Sequence, residues 1–169
     1  MKFDPTYDYG NADLAIELNL VYWKFGELIK TLITLASNAD RQIDIMGVGV
    51  ITDEMAEDFY SYSTLSQEAF IQNGLLDENA VEKLNQLDHF FDQRSDDKDP
   101  DFWDDAVLAT HEDWEHIRKQ AQDILVCMDF GDLDIAFDRS EKYVTTDKGH
   151  QQLVVQSTKT RLINKKSAG

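Results

Sequence analysis

The run Asp13–Asn38, DLAIELNLVYWKFGELIKTLITLASN, decides the architecture. Leu14, Leu18, Val21, Phe25, Leu28, Leu32 and Leu35 recur at alternating steps of four and three, which sets them along one face of an α-helix. Asn11 or Asp13 can cap its start, and Ser37-Asn38 supply the stop signals. At ~1.5 Å per residue such a helix reaches roughly 38 Å, the length of a principal member of a helix bundle.

Further amphipathic stretches flank it. Residues 40–51 lose the helical period, and Gly47 and Gly49 allow a bend or a short extended piece. Thr52 is expected to cap a second helix with Met55, Phe59, Tyr62, Leu65 and Ala69 on its inner face, ended by Asn73-Gly74. A third follows Asp77, with Ala80, Leu84, Leu87 and Phe91 on one stripe. Residues 92–101 read as an exposed loop, and Asp99-Pro100 as a helix start that continues through Trp103, Val107, Trp114, Ile117, Ala121, Ile124 and Met128 to Gly131. Thr110 marks a kink or a second cap within that stretch. Beyond it Leu133, Ile135 and Phe137 alternate with acids, and Leu153-Val154-Val155 sits among Gln and Thr, the pattern of two short strands. The expected fold is mainly α, a helical bundle of four to six helices with a small C-terminal β-hairpin.

The chain has 169 residues, 42% of them hydrophobic, enough for one domain with a sizeable core. Thirty-three acids against 16 bases give a net charge of -17. The charge is divided: residues 1–138 carry 31 acids and 9 bases, residues 139–169 carry 2 acids and 7 bases. The expectation is an acidic helical domain over 1–138 and a basic C-terminal segment, 139–169, packed on it or trailing from it. Affinity for nucleic acid comes largely from Lys and Arg displacing counterions, so nucleic acid and anionic membranes are unfavoured partners and a cationic protein is favoured. The single cysteine, Cys127, lies in an apolar helical run as a small core residue, and gives no reason to expect an oxidising compartment. The N-terminus lacks an apolar signal core and no stretch approaches the ~18 apolar residues of a membrane span, so the expected location is the cytoplasm.

No complete catalytic set emerges from the sequence. His111-Glu112-Asp113-Trp114-Glu115-His116 places carboxylates three and four residues before His116, one quarter of a di-metal site, but the Glu-x-x-His that such bundle sites use does not occur. Glu54, Glu57 and Asp58 share a helical stretch of the kind that all-helical nucleotide pyrophosphohydrolases use to hold magnesium. The next helix offers only Glu82 and Asn85, so Glu112 and Glu115 would have to complete the set. A metal-dependent nucleotide hydrolase is therefore the alternative; the first expectation is no enzyme, no metal and no cofactor. The densest acidic feature is a binding epitope: Asp96, Asp97, Asp99, Asp101, Asp104 and Asp105 crowd around Phe102 and Trp103, so that aromatics supply contact area while carboxylates steer and pair with a cationic partner. Glu54, Glu57 and Asp58 extend that candidate surface.

The run Met46–Phe59, MGVGVITDEMAEDF, and the later Trp114–Ala121, WEHIRKQA, resemble small acidic immunity proteins of bacterial polymorphic-toxin and contact-dependent growth inhibition systems. The resemblance implies a cytoplasmic, non-catalytic protein that binds one cognate toxin domain, often a basic nuclease, and blocks its active site or substrate groove. It implies neither a particular fold nor catalytic residues. A monomer is expected when no partner is bound.

Overall fold

The computed structural model describes residues 2–95 and 98–165. Six α-helices precede an antiparallel hairpin: α1 (Glu17–Ala36), α2 (Ala39–Met46), α3 (Ile51–Phe59), α4 (Gln67–Gln72), α5 (Glu78–Asp92) and α6 (Glu112–Cys127), then β1 (Leu133–Thr145) and β2 (Gln151–Asn164). A π-helical turn, Tyr60–Thr64, carries α3 toward α4. The mainly helical bundle with a C-terminal hairpin is thus the observed fold. No described helix is long and apolar enough to cross a membrane.

Helix α1 is the central member. Beyond the expected stripe it also buries Ile29 and Ile33, because α6 packs on it as well as α2, α3 and the hairpin base. A helix apolar on more than one side is a core helix. Its buried hydroxyls are satisfied locally: Thr31 and Thr34 donate to the carbonyls of Glu27 and Lys30, each at 2.9 Å. The helix begins at Glu17, later than the sequence pattern suggests, because Asp13 spends its carboxylate on the Ala15 amide in a preceding turn.

Three local expectations are corrected. The stretch that seemed to lose its period forms α2, capped by Asn38, which accepts from the Arg41 amide at 2.9 Å, and ended by Gly47 at φ 74°. Only Gln42 and Ile45 mark its buried side after Ala39, too few points for a period to show in eight residues. Thr52 does not cap α3; it is buried inside the helix's first turn and its hydroxyl donates to the Trp103 carbonyl at 2.7 Å. No helix starts at Pro100: residues 98–110 form turns with one 3-10 turn, Asp105–Val107, and α6 begins only at Glu112 after the His111 cap.

The hairpin is far longer than the two short strands expected. It pairs Leu133 with Asn164 at its base and Thr145 with Gln151 at its tip. Leu133, Ile135 and Leu162 enter the core, whereas both strands are exposed through most of their distal halves. Arg41 on α2 clamps the base, reaching the Ile135 carbonyl at 2.7 Å and Asp134 at 3.1 Å. The charge boundary at 138/139 falls in the middle of β1, inside a continuous strand rather than at a joint.

Beneath the helices lies a buried guanidinium. Arg118 on α6 donates to the carbonyls of Ser37 (3.1 Å) and Leu108 (2.6 Å) and to Gln42 Oε1 (3.2 Å), tying the end of α1, α2 and the 98–110 loop to α6. Its carboxylate neighbour Glu115 sits at 3.5 Å and is largely exposed. Arg118→Met should therefore cost about 3 kcal/mol in urea unfolding, since it strands buried acceptors. Glu115→Gln should cost no more than about 0.5 kcal/mol, as surface pairs do.

Candidate partner-binding groove

The carboxylates singled out in the sequence do not form one face. Asp105 turns inward and accepts from the amides of Ile51 and Thr52, both at 3.0 Å, one on each carboxylate oxygen. It thereby caps α3 from across the fold, where its charge also suits the positive end of the helix dipole. Asp104 accepts from the Ala106 amide at 2.9 Å and starts the 3-10 turn. Phe102 is fully buried and stacks on Trp114 with ring centroids 4.6 Å apart, so it offers no contact surface and belongs to the core. Asp101 remains exposed. Asp96 and Asp97 lie outside the described residues.

Asp99 is half-buried with His111 and Asp113, their ligand-type atoms all within 4.8 Å of one another. Among the described residues these are the group that could approach a metal ion, and two of them already spend a ligand-type atom elsewhere. Asp113 pairs with Arg94 Nε at 2.9 Å, and His111 Nδ1 accepts from the Asp113 amide at 3.1 Å. The positive charge at this place is the guanidinium of Arg94, itself laid over the Phe90 ring at 3.6 Å.

Glu54, Glu57 and Asp58 also part company. Glu54 folds back over Gly49, whose absent Cβ would lie 2.3 Å from Glu54 Oε1, and burial raises its pKa, followed by Glu57 and Asp105. Asp58 points toward α1 into a small cavity of about 190 Å³ that it shares with Glu27, Lys30 and Tyr62. Only Glu57 faces outward into the groove described next. Glu112 and Glu115 stand on α6, which packs against α1 and α5, while α3 packs against α1 and α2.

That groove is what the tertiary structure assembles. It runs between α3 and the C-terminal half of α5, encloses about 430 Å³, and is walled by Asp53 and Glu57 on one side and Asp88 and Asp92 on the other. Each pair is spaced four residues apart, so both carboxylates of a pair project from the same helical face. Phe59, Phe91 and Trp103 form the floor, with Tyr60 at the rim. Trp103 stacks on Phe91 at 6.4 Å between centroids, and its indole N–H donates to the Arg94 carbonyl, which fixes the ring. Among the described residues no Lys, Arg or His forms an ion pair with any of the four carboxylates. Asp88 alone has a side-chain partner, the Thr64 hydroxyl at 2.9 Å.

Of the residues expected from sequence, the groove unites Glu57 and Trp103. It adds Asp53, Tyr60, Asp88 and Asp92, which the sequence reading missed. The available signal was Asp88 and Asp92 beside the buried Leu84, Leu87 and Phe91 stripe, but nothing in the sequence says that α5 lies against α3. Compared with known proteins, the chain matches no protein-family model, no curated protein and no solved structure.

Asp58 yields a pH prediction. Burial first, then the charges of Glu27, Glu54 and Glu57, raise its pKa from 3.8 to about 6. With the folded value above the unfolded one, the native state holds the extra proton, so the Asp58 contribution falls as pH rises from 3.8 to about 6 and stays low above it. Asp58→Asn should stabilise the protein by about 1–2 kcal/mol at neutral pH. In thermal melts of the two proteins the gain should shrink as pH falls below about 6 and vanish below about pH 3, where Asp58 is protonated in either state.

Proposed function

We propose that the protein is a binding module of the immunity type, which captures a cationic toxin domain in the α3–α5 groove and occludes that domain's working surface. The observation that carries this reading is the set Asp53, Glu57, Asp88 and Asp92, four carboxylates on facing walls with no cationic partner among the described residues, above an aromatic floor. Four like charges held around one cavity repel one another, and an incoming Lys or Arg side chain relieves that repulsion. An Arg entering the groove also meets the faces of Trp103 and Tyr60, and such cation–π contacts contribute roughly 0.5–2 kcal/mol each. The preferred target is a nuclease domain, because a surface built to hold phosphates presents clustered Lys and Arg that a row of carboxylates can cover.

The walls are held before the partner arrives. Asp105 and Thr52 fasten the Trp103 loop to α3, and the Phe91–Trp103 stack fastens it to α5. A preorganised site loses less conformational entropy on binding, which favours affinity, while the surplus charge of the acidic body raises the association rate.

The partner to test is a basic toxin nuclease domain, taken from the neighbouring reading frame if that frame encodes a large secreted protein, with surface plasmon resonance as the readout. The association rate should fall steeply as salt rises, and a variant carrying Asp53→Asn, Glu57→Gln, Asp88→Asn and Asp92→Asn should associate at least about 10-fold more slowly at low salt. An association rate indifferent to both salt and the four substitutions, or no complex with such a domain, would remove this reading.

A further inference from the structure

The distal hairpin is the least explained part of the molecule. Its two strands form a sheet of their own, and most side chains beyond Arg139 on β1 and before Thr158 on β2 are exposed. An isolated two-stranded hairpin is marginal in water and ordinarily needs a third strand or a packed face. This one exposes Tyr143, Val144, Val154 and Val155, each about half accessible.

These side chains are divided between the two faces of the hairpin, and more exposed apolar residues stand on the helical body beside it. Val48 and Val50, both more than half exposed, stand on the glycine loop between α2 and α3, against which the arm rests. Gln156 Oε1 accepts from the Val48 amide at 2.7 Å, and Arg139 reaches the Asp44 and Ile45 carbonyls. A Cβ at Gly47 would meet the Gln156 side chain, and the glycine's φ of 74° is one that residues with a Cβ rarely adopt. Six of the thirteen large apolar residues left exposed on the described chain therefore lie on the arm and its supporting loop. A concentration of this kind marks an interaction site more often than chance exposure does.

Two further observations select the occupant. The β2 run Gln151–Thr158, QQLVVQST, contains no charge, proline or glycine to guard its outer edge, whereas β1 carries Asp138, Arg139, Glu141 and Lys142. The register shift between Lys142 and Tyr143 also leaves Val154 without a partner on β1. The arm's cations, Arg139, Lys142, Lys148 and Lys159, outnumber its acids, Glu141 and Asp147, while the body to which it is attached is strongly acidic. A basic arm with an uncharged outer edge fits a surface that offers an equal edge with acidic ground beside it, and a second copy of this chain offers both.

We infer that the protein forms a two-fold homodimer through its hairpin arms. The uncharged outer edges of β2 pair antiparallel at the two-fold axis, and each basic arm extends toward the acidic body of the other copy. This replaces the free monomer expected from the sequence. A two-fold contact is self-complementary, so the arm needs no second kind of surface, and it closes without propagating into a fibre. The groove between α3 and α5 takes no part, so the dimer and the capture of a cationic domain stand or fall separately.

Sedimentation velocity across a concentration series tests it. The wild-type chain should sediment at twice 19.4 kDa. The pair Val154→Lys/Val155→Lys, and independently Tyr143→Glu/Val144→Glu, should each return it to 19.4 kDa with an unchanged far-ultraviolet circular dichroism spectrum. Leu65→Lys, at an exposed site on the helical body, should leave the dimer intact. A single 19.4 kDa species at about 1 mM chain, where even a millimolar Kd gives abundant dimer, would overturn the inference. So would a dimer that survives both folded arm variants.

Discussion

The buried guanidinium of Arg118 is the constraint on which the arrangement of the helices depends. Helix ends leave carbonyls without intrahelical partners, and three chain segments bring such groups together under α6. Ser37 lies just past α1, Leu108 follows the 3-10 turn, and Gln42 on α2 itself reaches the Leu35 carbonyl at 3.1 Å. A planar fork of five donors meets these acceptors at once, which an ammonium on a flexible stem would not do with the same geometry. Because the acceptors are mostly neutral, the cation is held by directed hydrogen bonds more than by ion pairing. Its removal exposes several unsatisfied groups together, and the penalty for unmade buried hydrogen bonds exceeds the modest net gain of made ones.

From that knot the 98–110 loop is carried across the fold to α3. Trp114 donates its indole N–H to the Phe102 carbonyl at 2.8 Å while stacking on the Phe102 ring, so one side of the loop is sealed into the core. Asp105 and the Trp103 carbonyl then fasten the other side to the first turn of α3. The consequence is a division of labour among adjacent acids. Asp105 points inward to cap the amides of α3, whereas Asp53, Glu57 and Asp92 lie at the surface with no ion-pair partner among the described residues. The same chain thus uses some carboxylates as structural acceptors and leaves others at the surface.

Much of the fold was legible because its signals are local and repeated. The Leu18–Leu35 part of the α1 seam, the Asp77 cap with its Ala80 amide at 2.8 Å, and the change of period after Gly131 all identify elements correctly. Expectations failed where a distant residue overrides a local one. Thr52 looks like a cap until Asp105, far along the chain, supplies the acceptor. Phe102 looks like an exposed aromatic in an acidic loop until Trp114 stacks on it. The strands looked short because their distal halves, rich in Gln, Thr and charged residues, lack the alternation that a buried face imposes.

By itself the sequence determined the class of the fold, the central helix and the uneven division of charge, because periodicity and net charge are properties of the chain that survive any arrangement of its parts. Only the tertiary structure decided which carboxylates act together. Asp53 and Glu57 are separated from Asp88 and Asp92 by a π turn, α4 and a loop, and they become opposite walls of one groove because Phe59, Phe91 and Trp103 pack between their helices. Side-chain packing is non-directional and long-range in sequence, so no reading of neighbouring residues could have brought those four charges to one place.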